Sequence, residues 1–128
     1  MILVDTHIWY WWVSGQRKLS APQAQALSDS DEVALSAISV WELCTKTANG
    51  KMSLDRPIEA WLQAALDNPR LTVIPVTLEI AVESSRLPGE FHKDPADRMI
   101  VASARLMDID LVTADRKILG YPHVRTVG

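Results

Sequence analysis

The sequence contains one cysteine, no long apolar run and no excess of positive charge. Cys44 by itself cannot form a disulfide within the chain, which fits a protein of the reducing cytoplasm. No apolar stretch approaches the length of a membrane span, and the first residues lack the basic region of a secretory signal peptide. We therefore expect a cytoplasmic protein that does not associate with membranes.

The balance of charge restricts the possible roles in nucleic-acid binding. The formal net charge is −3, with 13 basic and 16 acidic residues. Domains that only coat nucleic acid are usually basic, so the composition argues against that class. A negative net charge is still compatible with a nuclease, because bound cations would neutralise a cluster of carboxylates.

The chain has no repeat, low-complexity tract or linker, which predicts a single domain over residues 1–128. Strands are predicted at about residues 2–4, 33–36, 71–76, 110–113 and 123–127. Helices are predicted at about residues 6–13, 20–28, 39–49, 57–67, 77–87, 94–107 and 115–119. This alternation predicts an α/β fold in which a central parallel sheet of four or five strands has helices on both faces.

Four acidic residues are predicted to lie at one edge of this sheet. Asp5 ends the first strand and Asp115 follows the fourth, and ligands of such folds bind at the carboxyl ends of strands. Glu42 and Asp97 are placed in the first turns of two helices that begin near the same edge. The four carboxylates are therefore expected close together.

Each of the two helix acids also has a purely structural explanation. Ser39 to Glu42 matches the S-x-x-E capping box, residues 94–97 form a common helix start, and an acid there gains about 0.3–1 kcal/mol from the helix dipole. Four crowded carboxylates, however, repel one another unless a cation neutralises them. The convergence favours a site for Mg²⁺ or Mn²⁺, which prefer oxygen ligands, and metal-assisted hydrolysis of a phosphodiester.

Four segments resemble the VapC-type PIN-domain toxins of type II toxin–antitoxin systems. They are ILVDTH at 2–7, SAISVWEL at 36–43, HKDPADRMIVA at 92–102 and LVTAD at 111–115. Each segment is short, but they follow one another in the order of the family and together span nearly the whole chain.

The resemblance implies a PIN-like three-layer sandwich and an Mg²⁺- or Mn²⁺-dependent endoribonuclease that leaves 5′-phosphate and 3′-hydroxyl ends. It also implies a homodimer that is inhibited by a small cognate antitoxin. Thr6 and Thr113 match polar positions where a hydroxyl orients a neighbouring carboxylate or water. The four acidic positions of the family, of which the last varies most, are matched by Asp5, Glu42, Asp97 and Asp115.

Several other residues near the predicted site were assigned individually. Lys46 and Arg98 lie within about one turn of an acid, and we expect them to hold RNA phosphates. Asp94 precedes a proline and is assigned to the N-cap of its helix, outside the metal set. His92 is predicted to be a surface or loop residue.

The tryptophans at positions 9, 11 and 12 exceed what one helix face can bury. Their spacing predicts that at least two belong to the core. One or two of the three, with Trp9 as the residue to test, are candidates for a groove that receives the antitoxin or a second subunit, since aromatic residues concentrate at interfaces.

Two alternative functions remain open from the sequence. The first is a PIN scaffold that has lost catalysis and only binds proteins, although its acids are intact. The second is a receiver-like phosphoacceptor domain, which needs an acidic residue at the end of a middle strand. The strands predicted at 33–36 and 71–76 carry no acid, which argues against the second alternative.

Overall fold

Strands and helices alternate along the chain and form three layers. The computed structural model describes residues 1–15 and 18–128. The strands are β1 (Ile2–Val4), β2 (Val33–Ser36), β3 (Leu71–Ile74), β4 (Asp110–Val112) and β5 (Thr126–Val127). The helices are α1 (Thr6–Ser14), α2 (Ala21–Asp29), α3 (Ala37–Ala48), α4 (Ile58–Leu66), α5 (Leu78–Ser85), α6 (Pro95–Met107) and α7 (Arg116–Leu119).

The sheet is parallel, and its strand order is β3-β2-β1-β4-β5. The predicted central parallel sheet is therefore confirmed. A receiver-like domain has the order 2-1-3-4-5, so the observed order contradicts that alternative.

Alternating side chains of the short strands build a core on each face of the sheet. Ile2 and Val4 of β1 join a cluster to which α1 to α4 contribute, with Trp9 and Trp61 among its largest members. Leu3 points to the other face, into a cluster formed with α5, α6 and α7. Burial on both faces explains why the strands are apolar without polar alternation.

The register of the strands brings their carboxyl ends to one level. Val4 is paired with Leu35 on one side and with Val112 on the other. The residues that follow these paired positions therefore meet at one edge of the sheet: Asp5, Ser36 and Thr113.

Four helices begin at this edge, and each start is fixed by a polar side chain. The N-caps are Asp5 for α1, Ser36 for α3, Asp94 for α6 and Asp115 for α7, and each side chain accepts a backbone N–H bond from its helix. Within residues 1–15 and 18–128, no helix is long and apolar enough to cross a membrane.

The bounds of several strands and helices differ from those predicted. β3 ends at Ile74 rather than at residue 76, directly before Pro75, which has no N–H to donate, and it lies at the edge of the sheet. β5 comprises only Thr126–Val127 rather than residues 123–127. The prediction that α3 begins at Ser39 was wrong, because the helix starts directly after β2.

Candidate metal centre

Asp5 is held rigidly at the end of β1. Its side chain is buried, with 6% of the residue exposed. Oδ1 accepts the backbone N–H of Ile8 at 3.0 Å, and Oδ2 accepts the hydroxyl of Thr113 at the end of β4. The carboxylate is therefore fixed from the strand on one side and from the helix on the other.

Glu42 lies one turn deeper in its helix than the sequence suggested. Ser36, rather than Ser39, caps α3 by accepting the backbone N–H of Ile38 at 3.2 Å. The capping-box explanation for Glu42 is therefore wrong, because its side chain has no helix end to satisfy.

Thr6 connects Glu42 to the interior of the protein. Its Oγ1 lies 2.9 Å from Ser39 Oγ and forms a short hydrogen bond with Glu42 Oε1. Because a hydroxyl carries one proton, Thr6 donates to the carboxylate and accepts from Ser39. The other oxygen of Glu42 lies 3.2 Å from Lys46 Nζ, one turn further along α3.

Asp94 and Asp97 share the first turn of α6. Asp94 Oδ1 accepts the backbone N–H of Asp97 at 2.9 Å, so the predicted N-cap is confirmed. Asp94, Asp97 and Glu42 each offer a carboxylate oxygen within 4.8 Å of the others. Asp94 thus lies in the group from which the sequence analysis excluded it, because the cap and the third helical residue face the same side.

His92 lies in the loop before α6, as one of the two predicted possibilities, and it also faces this group. Its Nε2 lies 3.0 Å from Asp97 Oδ2. The nitrogen is buried, yet among the described residues it has no hydrogen bond of good geometry. A single histidine without a second at ligand spacing gives little signal in sequence.

Asp115 completes the acidic edge from the far side of β4. Its Oδ1 accepts the backbone N–H groups of Lys117 at 2.8 Å and Ile118 at 3.3 Å, capping α7. Its own backbone N–H donates to Thr113 Oγ1 at 3.0 Å. Thr113 therefore binds Asp5 and Asp115 at once.

These side chains surround one pocket of about 620 Å³, which we call the metal pocket. The four acids predicted from the sequence all line it, as does Asp94. Five carboxylates thus face one cavity: Asp5, Glu42, Asp94, Asp97 and Asp115.

Two of the carboxyls have strongly raised pKa values. Burial is the main cause that raises the pKa of Asp5 to about 6, with the Thr113 and Ile8 hydrogen bonds acting in the opposite direction. Burial and then the negative charge of Asp94 raise the pKa of Asp97 to about 7. Nearby acids add to both shifts, so the metal-free pocket is electrostatically unfavourable.

Oxygen donors that gather around one cavity and hold excess negative charge fit a hard divalent cation. Glu42, Asp94 and Asp97 are already close enough to share such an ion after small side-chain adjustments. Asp5 and Asp115 lie in the same cavity but outside this group of three.

Arg98 contacts the backbone of two neighbouring segments. Its guanidinium donates to three backbone carbonyls, at 2.8 Å to Ser84 and at 3.1 Å to both Phe91 and His92. These bonds tie the segment before α6 to the end of α5, and Arg98 does not line the metal pocket, which argues against the expected phosphate contact.

The tryptophans divide between core and surface. Trp9 is fully buried, and its ring packs edge-on against Trp61 with centroids 5.3 Å apart. The hypothesis that Trp9 lines a partner groove was therefore wrong. Trp11 is only partly buried and lines the metal pocket.

Comparison with known proteins agrees with the resemblance seen in the sequence. The family model of the PIN domain matches residues 2–123. Ribonuclease VapC22 of Mycobacterium tuberculosis is 36% identical over 126 residues, which cover 98% of this chain and 95% of that protein.

Solved structures share the fold. A toxin–antitoxin complex from Klebsiella pneumoniae aligns with a TM-score of 0.71 and 24% identity, over 100% of this chain and 97% of that one. VapBC2 from Rickettsia felis, crystallised with a DNA fragment from its promoter, aligns with a TM-score of 0.71 and 19% identity. The alignment covers 98% of this chain and 97% of that one.

Proposed function

The chain belongs to the PIN-domain family, and we propose that it is a metal-dependent endoribonuclease, the toxin of a type II toxin–antitoxin pair, built as one domain over residues 1–128. One observation carries the proposal: five carboxylates from four separate segments converge on one pocket at the carboxyl edge of the sheet. The 36% identity to a VapC ribonuclease supports RNA as the substrate.

We propose that the cation is Mg²⁺ or Mn²⁺, held by Asp5, Glu42, Asp97 and Asp115, with Asp94 at the rim of the site. The donor set supports this choice, because it consists of carboxylate oxygens without a cysteine. When bound, such a cation activates water and stabilises charge on the phosphodiester oxygens.

The protein's own contribution is to hold these carboxylates in place before RNA arrives. Thr113 and the start of α1 fix Asp5, and Thr6 fixes Glu42. Because these carboxylates are held close to their binding positions, little free energy is spent on ordering them when a cation binds. Lys46 lines the pocket and is proposed to attract a phosphate of the RNA.

The proposed partners are RNA, a small cognate antitoxin and a second copy of the chain, all in the cytoplasm. The toxin–antitoxin complexes among the structural relatives support the antitoxin. An exposed apolar strip along α5 and α6 offers a face for a protein partner. It includes Leu78, which is 82% exposed, Val82 at 41% and Leu106 at 46%.

The test is cleavage of a mixed RNA pool by purified protein free of antitoxin, with Mg²⁺ or Mn²⁺ and with EDTA. We expect cutting that requires the cation and disappears in Asp5→Asn. Asp31→Asn is the matched control, since Asp31 is exposed and precedes β2 at the opposite edge of the sheet. Calorimetric titration with Mn²⁺ alone measures the site independently of activity.

The remaining alternative is a scaffold without catalysis. Folded wild-type protein that cuts no RNA in the pool with either cation would favour it over the nuclease. Mn²⁺ binding that is equal in Asp5→Asn and wild type would refute the proposed ligand set itself.

A further inference from the structure

A second groove adjoins the metal pocket, and we call it the α1 groove. Its volume is about 390 Å³, and it shares His7 and Trp11 with the metal pocket. Its other main lining residues are Tyr10, Lys18, Lys51 and Ser53. The two cavities therefore lie next to each other along α1, with these two side chains common to both.

One wall of the α1 groove is aromatic and carries a positive charge. His7 and Trp11 lie one turn apart on α1, with ring centroids 5.8 Å from each other. Lys18 Nζ lies 5.9 Å from the centroid of the Trp11 ring. Trp11 is partly exposed, so part of the indole remains accessible to a ligand.

The opposite wall is the turn that follows α3, and it is held in a fixed position. Tyr10 Oη donates to the carbonyl of Ser53 at 2.6 Å. The backbone N–H of Lys51 donates to the carbonyl of Lys46 at 2.8 Å, next to Gly50, whose φ of 72° reverses the chain. The groove is therefore formed before any ligand binds and is tied to the helix that carries Glu42.

The charge of the α1 groove is opposite to that of the metal pocket. Its lining includes Lys18 and Lys51 and, among the described residues, no carboxylate. This is notable in a chain whose acidic residues outnumber its basic ones. An exposed indole with flanking lysines is the combination that binds single-stranded nucleic acid, through base stacking and phosphate contacts.

We propose that the α1 groove binds the RNA next to the scissile phosphate, with one unpaired base stacked on Trp11 and a flanking phosphate between Lys18 and Lys51. The inference rests on the proposed ribonuclease function and specifies where this chain would hold an unpaired base of its RNA substrate. A base within a duplex is stacked on its neighbours and cannot reach the indole.

The test measures binding of fluorescently labelled single-stranded RNA of mixed sequence by Asp97→Asn protein, in which cleavage is blocked. In this background, Trp11→Ala should weaken binding about tenfold, whereas Trp11→Phe should retain most of the affinity. Trp41→Ala is the matched control, because Trp41 is 58% exposed and lines neither cavity. An abasic strand of the same length should bind all four proteins equally.

The lysines provide a second measurement that does not depend on the tryptophan. Replacing Lys18 and Lys51 by alanine should reduce the slope of log affinity against log salt by about 0.7 for each lysine. If Trp11→Ala does not fold, the salt dependence of the lysine variants tests the proposal instead. A slope equal to that of the parent protein would overturn it.

Unchanged RNA affinity in folded Trp11→Ala overturns the proposal, as does an equal loss on the abasic strand. Loss of antitoxin binding with unchanged RNA binding would assign the groove to a protein. These outcomes are separate from the nuclease test. If wild-type protein cuts RNA and Trp11→Ala binds RNA normally, only the proposal for the α1 groove is refuted. If RNA binding depends on the bases but no RNA is cut, only the ribonuclease proposal is refuted.

Discussion

The hydroxyl of Thr113 donates a hydrogen bond to the carboxylate of Asp5 across the paired ends of β4 and β1. The same oxygen accepts the backbone N–H of Asp115. A fully buried threonine thus couples two acids that are 110 residues apart in the chain, and it sets their spacing before a cation binds.

Replacing Thr113 by valine keeps the shape of the side chain and removes the hydroxyl. The pKa of Asp5 should rise, because the lost hydrogen bond is one that lowers it. Mn²⁺ affinity should fall about 10- to 100-fold, the usual effect of removing a group that orients a ligand. Titration calorimetry measures this, with Thr72→Val on the exposed edge strand as the control. Equal Mn²⁺ affinity in the two variants would contradict the prediction.

The stability of the metal-free protein should decrease as the pH rises. The pKa values of Asp5 and Asp97 are raised from 3.8 to about 6 and about 7. The folded state therefore binds more protons than the unfolded chain, and stability is lost between about pH 4 and pH 7. The melting temperature in EDTA, followed through this range, should fall accordingly.

Two additions make the pH experiment specific to the pocket. Mg²⁺ should restore the melting temperature at high pH, because the cation binds the charged carboxylates of the folded state only. Asp97→Asn should flatten the profile in EDTA, while Asp31→Asn should leave its shape as in wild type. A melting temperature that rises steadily from pH 4 to 7 in EDTA would refute the assigned direction.

Arg98 should matter for stability rather than for RNA binding. Arg98→Met removes a guanidinium that donates to three carbonyls and should lower the free energy of unfolding by about 2 kcal/mol or more. Arg86→Met is the control, since that side chain is 73% exposed and its ion pair spans 4.0 Å. Chemical denaturation compares the two, and a change within about 0.5 kcal/mol for Arg98→Met would count against this role.

The parts of the fold that follow from local chemistry could be predicted from the sequence. Ile2, Leu3 and Val4 form an apolar run too short for a helix, and the acid that follows them had to lie at the end of a strand. Asp94 before a proline gave the start of α6, and Pro75, which has no N–H to donate, follows the last residue of β3. Each of these depends on neighbours within a few residues.

The cap of α3 could not be chosen from the sequence, because Ser36 and Ser39 both suit the position. The choice depends on the register of β2 with β1, which brings Ser36 level with Asp5. Ser39 is then free to contact Thr6, 33 residues away. Contacts between residues so far apart in the chain produce no periodic pattern in the sequence.

The guanidinium bonds of Arg98 were missed for the same reason. Its acceptors lie at the end of α5 and in the segment before α6. The sequence does not show whether the guanidinium of an arginine near a predicted site is already hydrogen-bonded to backbone carbonyls. The place of Asp94 beside Glu42 likewise requires the packing of α6 against α3.

His92 provides the last prediction, which concerns cation affinity. Its Nε2 lies 3.0 Å from Asp97 Oδ2 without forming a well-aligned bond among the described residues. A slight rotation of the carboxylate on binding a cation would align the pair, so that His92 holds Asp97 in its binding orientation. His92→Ala should raise the Mg²⁺ concentration for half-maximal cleavage about tenfold or more, with kcat at saturating Mg²⁺ unchanged.

His92→Gln tests whether the ring nitrogen is responsible, because the glutamine amide can donate to the same carboxylate oxygen and should recover part of the Mg²⁺ affinity. His123→Ala is the control, since His123 is an exposed histidine outside the metal pocket. A fall in kcat at saturating Mg²⁺, with unchanged Mg²⁺ dependence, would contradict the prediction. It would mean that His92 acts on the RNA rather than on Asp97, because a group that only orients a ligand loses its effect once the cation site is full.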